Sequence, residues 1–132
     1  MMTRVLIVDP SEERRSALAF QLRTAKYDVY LAKDGVTALG MLKKTRFDTV
    51  VTAQSMPGLT GSALLRHVRD EFRYFYLPFI LLADGKAARD IEPHLAGDMS
   101  IVVGPSTPIA SLLAALGTAR LRSYQPKKLT LQ

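Results

Sequence analysis

An α/β domain with a parallel sheet is what this sequence predicts. Short β-branched runs alternate with helical patterns five times along the chain. The first run, Val5-Leu6-Ile7-Val8, is continuously apolar, as a strand buried on both faces must be. The length, 132 residues, suits one domain with one core. Right-handed crossovers then place helices on both faces of the sheet.

Arg4–Val8 is the first expected strand. Ser11 can cap the helix that follows, with Glu12 and Glu13 near the positive end of its dipole. Leu18 and Leu22 lie one turn apart on that helix, with Ala17 and Ala25 beside them. Asp28–Ala32 is the second strand. Asp34 caps a helix to about Lys44, whose expected apolar stripe is Val36, Leu39 and Leu42. Phe47–Thr52 is the third strand, ending at Ala53. A loop at Gln54–Thr60 turns at Pro57-Gly58. The next helix runs to about Phe72 with Leu64, Leu65, Val68 and Phe72 inward. Phe79–Leu82 is the fourth strand. Asp84–Leu95 reads as a weaker helix that Pro93 kinks or ends. Ile101–Val103 is the fifth strand. Ser106, Thr107 and Pro108 open a last helix to about Arg122, with Ile109, Leu112, Leu113 and Leu116 buried. We expect one domain over residues 1–123 and a basic tail or linker stub over 124–132.

Composition narrows the function. Hydrophobic residues make up 48% and charged residues 23%, the mix of a globular domain. Without cysteine, neither a disulfide nor a thiolate metal site can form. No apolar run approaches the ~20 residues of a membrane span, and none at the start resembles a signal peptide, so the expected location is cytoplasmic. The net charge is +6, and Arg120, Arg122, Lys127 and Lys128 stand after residue 99 with no acid among them. Four dispersed cations without interleaved aromatics argue against a nucleic-acid footprint and for a solvated helix end and tail.

Ligands in such sheets bind beyond the carboxyl ends of the strands. Those ends are Asp9-Pro10, Ala53, Ala83-Asp84 and Val103-Gly104. Around them stand Val5-Leu6-Ile7-Val8-Asp9, Asp34-Gly35 with Ala38-Leu39, Met56-Pro57-Gly58 with Gly61, and Pro78-Phe79-Ile80-Leu81-Leu82. In order and spacing these motifs resemble the receiver domain of bacterial response regulators, over about residues 3–122. The resemblance implies a flavodoxin-like fold with strand order 2-1-3-4-5. It also implies two-component signalling, in which an aspartate accepts a phosphoryl group with the help of magnesium. The family's parts are a nucleophilic carboxylate after the third strand, an acid pair after the first strand that holds the ion, a hydroxyl after the fourth, and a lysine after the fifth.

Little of that chemistry carries over to this chain. The nucleophile position is Ala53 and the acid pair is Asp9-Pro10. The hydroxyl position is Ala83, the lysine position Gly104, and the aromatic switch position Ile101. The resemblance therefore implies a pseudo-receiver that keeps the fold and has lost the phosphoryl chemistry. It would have no resident metal, no cofactor and no enzymatic activity, and would act by protein–protein interaction. The alternative is the N-terminal regulatory domain of a longer response regulator with a DNA-binding or catalytic output domain. The family's Lys-Pro bond is cis, which extends to an expected cis bond at Gly104-Pro105.

Other residues have competing readings. Asp9 is a residual cation ligand, or else a solvated carboxylate or an acceptor for nearby backbone N–H groups. Thr52 and Ser55 flank the lost site, but neither has an adjacent base to activate it. Asp84 is a displaced pocket carboxylate or simply a helix cap. His67, between Arg66 and Arg69, reads as a surface histidine, and His94 is isolated. Five of the ten aromatics fall within 72–79: Phe72, Tyr74, Phe75, Tyr76 and Phe79. Phe72 and Phe79 suit a core, whereas Tyr74 and Tyr76 are candidate anchors for a protein partner. A second candidate interface is the face made by the 84–95 helix, the fifth strand and the last helix, through Arg89, Ile101 and Leu112. The resemblance implies that this face could form a homodimer.

Overall fold

A computed structural model describes residues 2–115. Five parallel strands form one sheet in the order 2-1-3-4-5: β1 (Arg4–Val8), β2 (Asp28–Ala32), β3 (Thr49–Ala53), β4 (Phe79–Leu82) and β5 (Ser100–Val103). The helices are α1 (Glu12–Thr24), α2 (Gly35–Lys44), α3 (Gly61–Asp70) and α4 (Gly85–Ile91), with α5 over 109–115 of the described residues. The expected end of the last helix, its Leu116 and the basic 124–132 stretch lie outside the described residues.

Strand side chains alternate between the sheet faces, which divides the core in two. Leu6, Val8, Val50, Phe79 and Leu81 pack with Leu42, Leu64 and Val68 of α2 and α3. Val5, Ile7, Val51 and Ile80 pack with Leu18 and Leu22 of α1 and with Ile109 and Leu113 of α5. Polar side chains fix where three helices begin. The Ser11 hydroxyl accepts the Arg14 N–H, Asp34 accepts that of Thr37, and Thr60 accepts that of Ala63.

Several local expectations need correction. On α1 the buried small residue is Ala19, whereas Ala17 and Ala25 face solvent. On α2, Val36 is 72% exposed. Leu42 is buried and Leu39 packs against the core as expected. Beside them Gly35 and Ala38 are buried in place of Val36, and the helix start sits close, since a Cβ on Gly35 would come 2.8 Å from Leu59 Cδ2. Asp84 does stand at the start of α4, but its side chain makes no capping hydrogen bond. At Pro93 the α-helix has already given way to a 3-10 turn over Glu92–Leu95.

The expected cis bond at Gly104-Pro105 is overturned, for no cis peptide occurs among the described residues. The Thr107 N–H donates to the Gly104 carbonyl at 3.1 Å. That closes a four-residue turn with Pro105 in its second position, where a trans proline fits and a cis one does not.

Candidate functional site

Sheet register brings the strand ends together. Val8 pairs with Thr52, Ala53 with Leu82, and Leu82 with Val103. Asp9, Ala53, Ala83 and Gly104 thus line one carboxyl edge. Ala53 and Ala83 are buried and present only methyl groups, and Pro10 is exposed. A Cβ on Gly104 would meet nothing within 4 Å, so a longer side chain at that position would find room.

Asp9 is the one acid retained at the first strand, and it is 0% exposed. The solvated alternative is therefore wrong, while the expected backbone contact is present. Ser11 N–H donates to Asp9 Oδ1 at 2.9 Å. The partner that sequence reasoning missed is Arg14. Its Nε donates to Oδ2 at 3.0 Å and its Nη2 to Oδ1 at 3.0 Å, a two-pronged pair. Arg15 Nη1 also donates to the Asp9 backbone carbonyl at 2.7 Å. Helical spacing provided the only available signal, because a third-position residue turns back over the start of its own helix. The hydrogen bond to Asp9, reinforced by the Asp9 charge, raises the proton affinity of Arg14 further above its ordinary value.

The loop after β3 is pinned by Gln54. Its Oε1 accepts the Ser62 N–H at 2.7 Å, its Nε2 donates to Ser62 Oγ at 2.9 Å, and its carbonyl accepts the Gly61 N–H at 3.0 Å. Thr52 is buried, its hydroxyl donating to the Ala53 carbonyl at 3.0 Å, and Ser55 is exposed.

The donor set does not fit a resident magnesium ion. Such an ion needs oxygen ligands in octahedral array. Pro10 and Ala53 supply no side-chain oxygen, and both oxygens of Asp9 are already hydrogen-bonded. Among the described residues no three His, Cys, Asp or Glu side chains are grouped to hold a metal. His67 instead meets Glu71 at 3.0 Å on the surface of α3, and His94 is exposed.

Away from the pocket, Arg69 is not on the polar side of α3 as its neighbours suggest. It is buried and holds Asp98 at 2.8 and 2.9 Å, the Met99 carbonyl at 3.2 Å and the Tyr74 carbonyl. Its guanidinium also lies over the Phe79 ring. Tyr74, Phe75 and Tyr76 are 41%, 48% and 53% exposed. Phe79 is core and Phe72 half-buried. On the second candidate face Arg89 is exposed, while Ile101 and Leu112 are half-buried against the α1-side core.

A five-stranded sheet in this order, with its loops gathered around the end of β1 and β3, defines a class of signalling module. The chain belongs to the response regulator receiver domain family, which matches residues 5–103. It is 41% identical over 107 residues to the chemotaxis protein CheY of Pseudomonas aeruginosa, covering 79% of this chain and 86% of that one. It is 38% identical over 106 residues to CheY-3 of Vibrio cholerae, covering 79% and 82%. The structure of the chemotaxis response regulator CheY4 of Vibrio cholerae superposes with a TM-score of 0.74 at 31% identity, over 89% of this chain and 98% of that one. The protein is thus a receiver domain of two-component signalling, a class that works through contacts with other signalling proteins. No described helix is long and apolar enough to cross a membrane.

Proposed function

We propose that this domain is a pseudo-receiver, a phosphorylation-independent signalling or adaptor module that acts by binding a protein partner. One observation carries the reading: the end of β3, where the family presents its acceptor carboxylate, holds Ala53. Pro10, Ala83 and Gly104 support it, since each removes a group whose purpose is to hold the ion or the phosphoryl group. These losses cohere, because without a phosphoryl group neither a lysine nor a hydroxyl has a charge to stabilise.

Without phosphorylation as the switch, the conformation is fixed or is set by a partner that binds one state better than another. Tyr74 and Tyr76 are the proposed anchors for that partner. The α4–β5–α5 face, with Arg89, Ile101 and Leu112, is the proposed homodimer surface. Incubation with acetyl phosphate or beryllofluoride and magnesium, followed by intact-mass and spectroscopic measurement, tests the reading. No added phosphoryl mass and no magnesium-dependent response are expected; saturable, magnesium-dependent modification would overturn it.

A further inference from the structure

We infer that Arg14 is the resident cation of this pocket, its guanidinium taking the Asp9 carboxylate in place of a divalent ion. This deepens the pseudo-receiver reading and rests on it for its meaning in signalling.

The Asp9 carboxylate is buried, 1% exposed, and the Arg14 guanidinium reaches over it from the surface, with its side chain 55% exposed. A carboxylate offers about four acceptor positions. Three are engaged here, by Arg14 Nε and Nη2 at 3.0 Å each and by Ser11 N–H at 2.9 Å. A magnesium ion on the same oxygens would have to stand about 2.0–2.1 Å away. It would then compete with the guanidinium for the same lone pairs and be repelled by its charge. The competition is unequal, because Arg14 is tethered. Ser11 Oγ accepts the Arg14 N–H at 3.2 Å, which fixes the first turn of α1 and aims the third helical residue back at the strand end. A tethered cation is present at high effective concentration whatever the free ion concentration is. Arg15 closes the backbone side of the same junction through the Asp9 carbonyl at 2.7 Å. The missing second acid and the added guanidinium therefore act together: Pro10 removes a ligand, and Arg14 occupies the one that remains.

The two effects separate in a four-protein comparison on the full chain: wild type, Arg14→Gln, Pro10→Asp, and Pro10→Asp with Arg14→Gln. Manganese is the probe, read as paramagnetic broadening of the backbone amides of Val8, Asp9, Ser11 and Glu12, which all four proteins share. Wild type should show none at about 1 mM, a level that would populate a weak oxygen site. Pro10→Asp alone should bind weakly, and the double variant about tenfold or more tightly than Pro10→Asp, because the like charge has gone. Equal affinity of Pro10→Asp and the double variant would overturn the inference, as would broadening in wild type that Arg14→Gln leaves unchanged.

A second measurement does not depend on the variants at Arg14 folding. In wild type the Arg14 Nε–H resonance should be protected from solvent exchange and unmoved by magnesium, and Asp9→Asn should abolish the protection. A freely exchanging Nε–H in wild type would also overturn the inference. Phosphoryl uptake by wild type without manganese at Asp9 would sink the phosphorylation-independent reading and leave the role of Arg14 standing. Manganese at Asp9 without phosphoryl uptake would do the reverse.

Discussion

A Cβ placed on Gly61 would lie 2.5 Å from the backbone carbonyl oxygen of Ala53. The start of α3 is therefore pressed directly against the end of β3, and the site at Ala53 is walled by backbone rather than by a movable side chain. The same Cβ would sit 3.2 Å from both Gln54 Cα and Gln54 Oε1; the side-chain oxygen could move, but the tightest contact is backbone and cannot. Gly61→Ala should destabilise the domain by roughly 2–3 kcal/mol, the cost of overpacking a rigid site. Gly40→Ala is the control. Gly40 is exposed within α2 and its Cβ would meet nothing within 4 Å, so it should gain up to about 1 kcal/mol of helix propensity. Urea denaturation of both variants checks the contrast. Equal effects would mean that the contact at Ala53 is not tight.

Arg69 and Asp98 form the buried ionic contact on the other side of the fold. Removing Arg69 leaves a partly buried carboxylate without its cation and takes a donor from the Tyr74 carbonyl, while the Met99 carbonyl keeps the Phe79 N–H at 3.0 Å, so Arg69→Ala should cost about 2–4 kcal/mol.

Asp98 also gives a pH signature. Burial raises its proton affinity, but the Arg69 hydrogen bonds, the nearby Ser100 hydroxyl and the Arg69 charge together outweigh this. The carboxyl therefore titrates below its ordinary value of 3.8. Ser100 Oγ has no hydrogen-bond partner of good geometry of its own, so its contribution is secondary to that of Arg69. A depressed folded value means that the unfolded chain binds the proton first. The stabilisation is complete above pH 3.8 and is lost as the pH falls from there through the folded value. Asp98→Asn should be less stable near neutrality and should flatten this acid limb, which a denaturation series in pH will read.

Restoring the nucleophile alone should not restore the chemistry. Ala53→Asp puts a carboxylate in a buried position while Pro10, Ala83 and Gly104 remain. The variant should fold with a loss of about 1–3 kcal/mol from burying the new polar group. It should still show no magnesium-dependent beryllofluoride response. A saturable response in this single variant would mean that the remaining substitutions matter less than their chemistry suggests.

Tyr74→Ser with Tyr76→Ser should leave stability within about 1 kcal/mol of wild type, because both rings are largely outside the core. Affinity for a captured partner should fall at least about tenfold if these rings anchor it. A partner isolated with wild type and retained equally by the double variant would move the interface elsewhere, with the α4–β5–α5 face to be tested next through Arg89.

Most of the architecture was legible because it rests on local signals. Ser11 and Asp34 announce helix starts through their own capping bonds, and the continuous apolar strands announce a sheet covered on both faces. The gathering of Ala53, Ala83 and Gly104 along one carboxyl edge was legible for the same reason, since strand ends are fixed by the strands. Arg14 and Arg69 were not. A long cationic side chain reads as surface in sequence, and only the fold brings Arg69 to a carboxylate 29 residues away. Val36 failed differently: the periodicity placed it inward, but Gly35, close to Leu59, and Ala38 are buried in its place. The bond at Gly104-Pro105 was carried over from the resemblance, and the turn closed by Thr107 decided otherwise.

One guanidinium, that of Arg69, holds the Tyr74 carbonyl and the Asp98-Met99 pair at once. The aromatic loop and the entrance to β5 therefore share a single fastener. Amide exchange over 71–78 and 96–99 should speed up or slow down in step, and a protein seated on the tyrosines would be felt at the sheet's last strand without any wire running through the strand ends at Asp9 and Ala53.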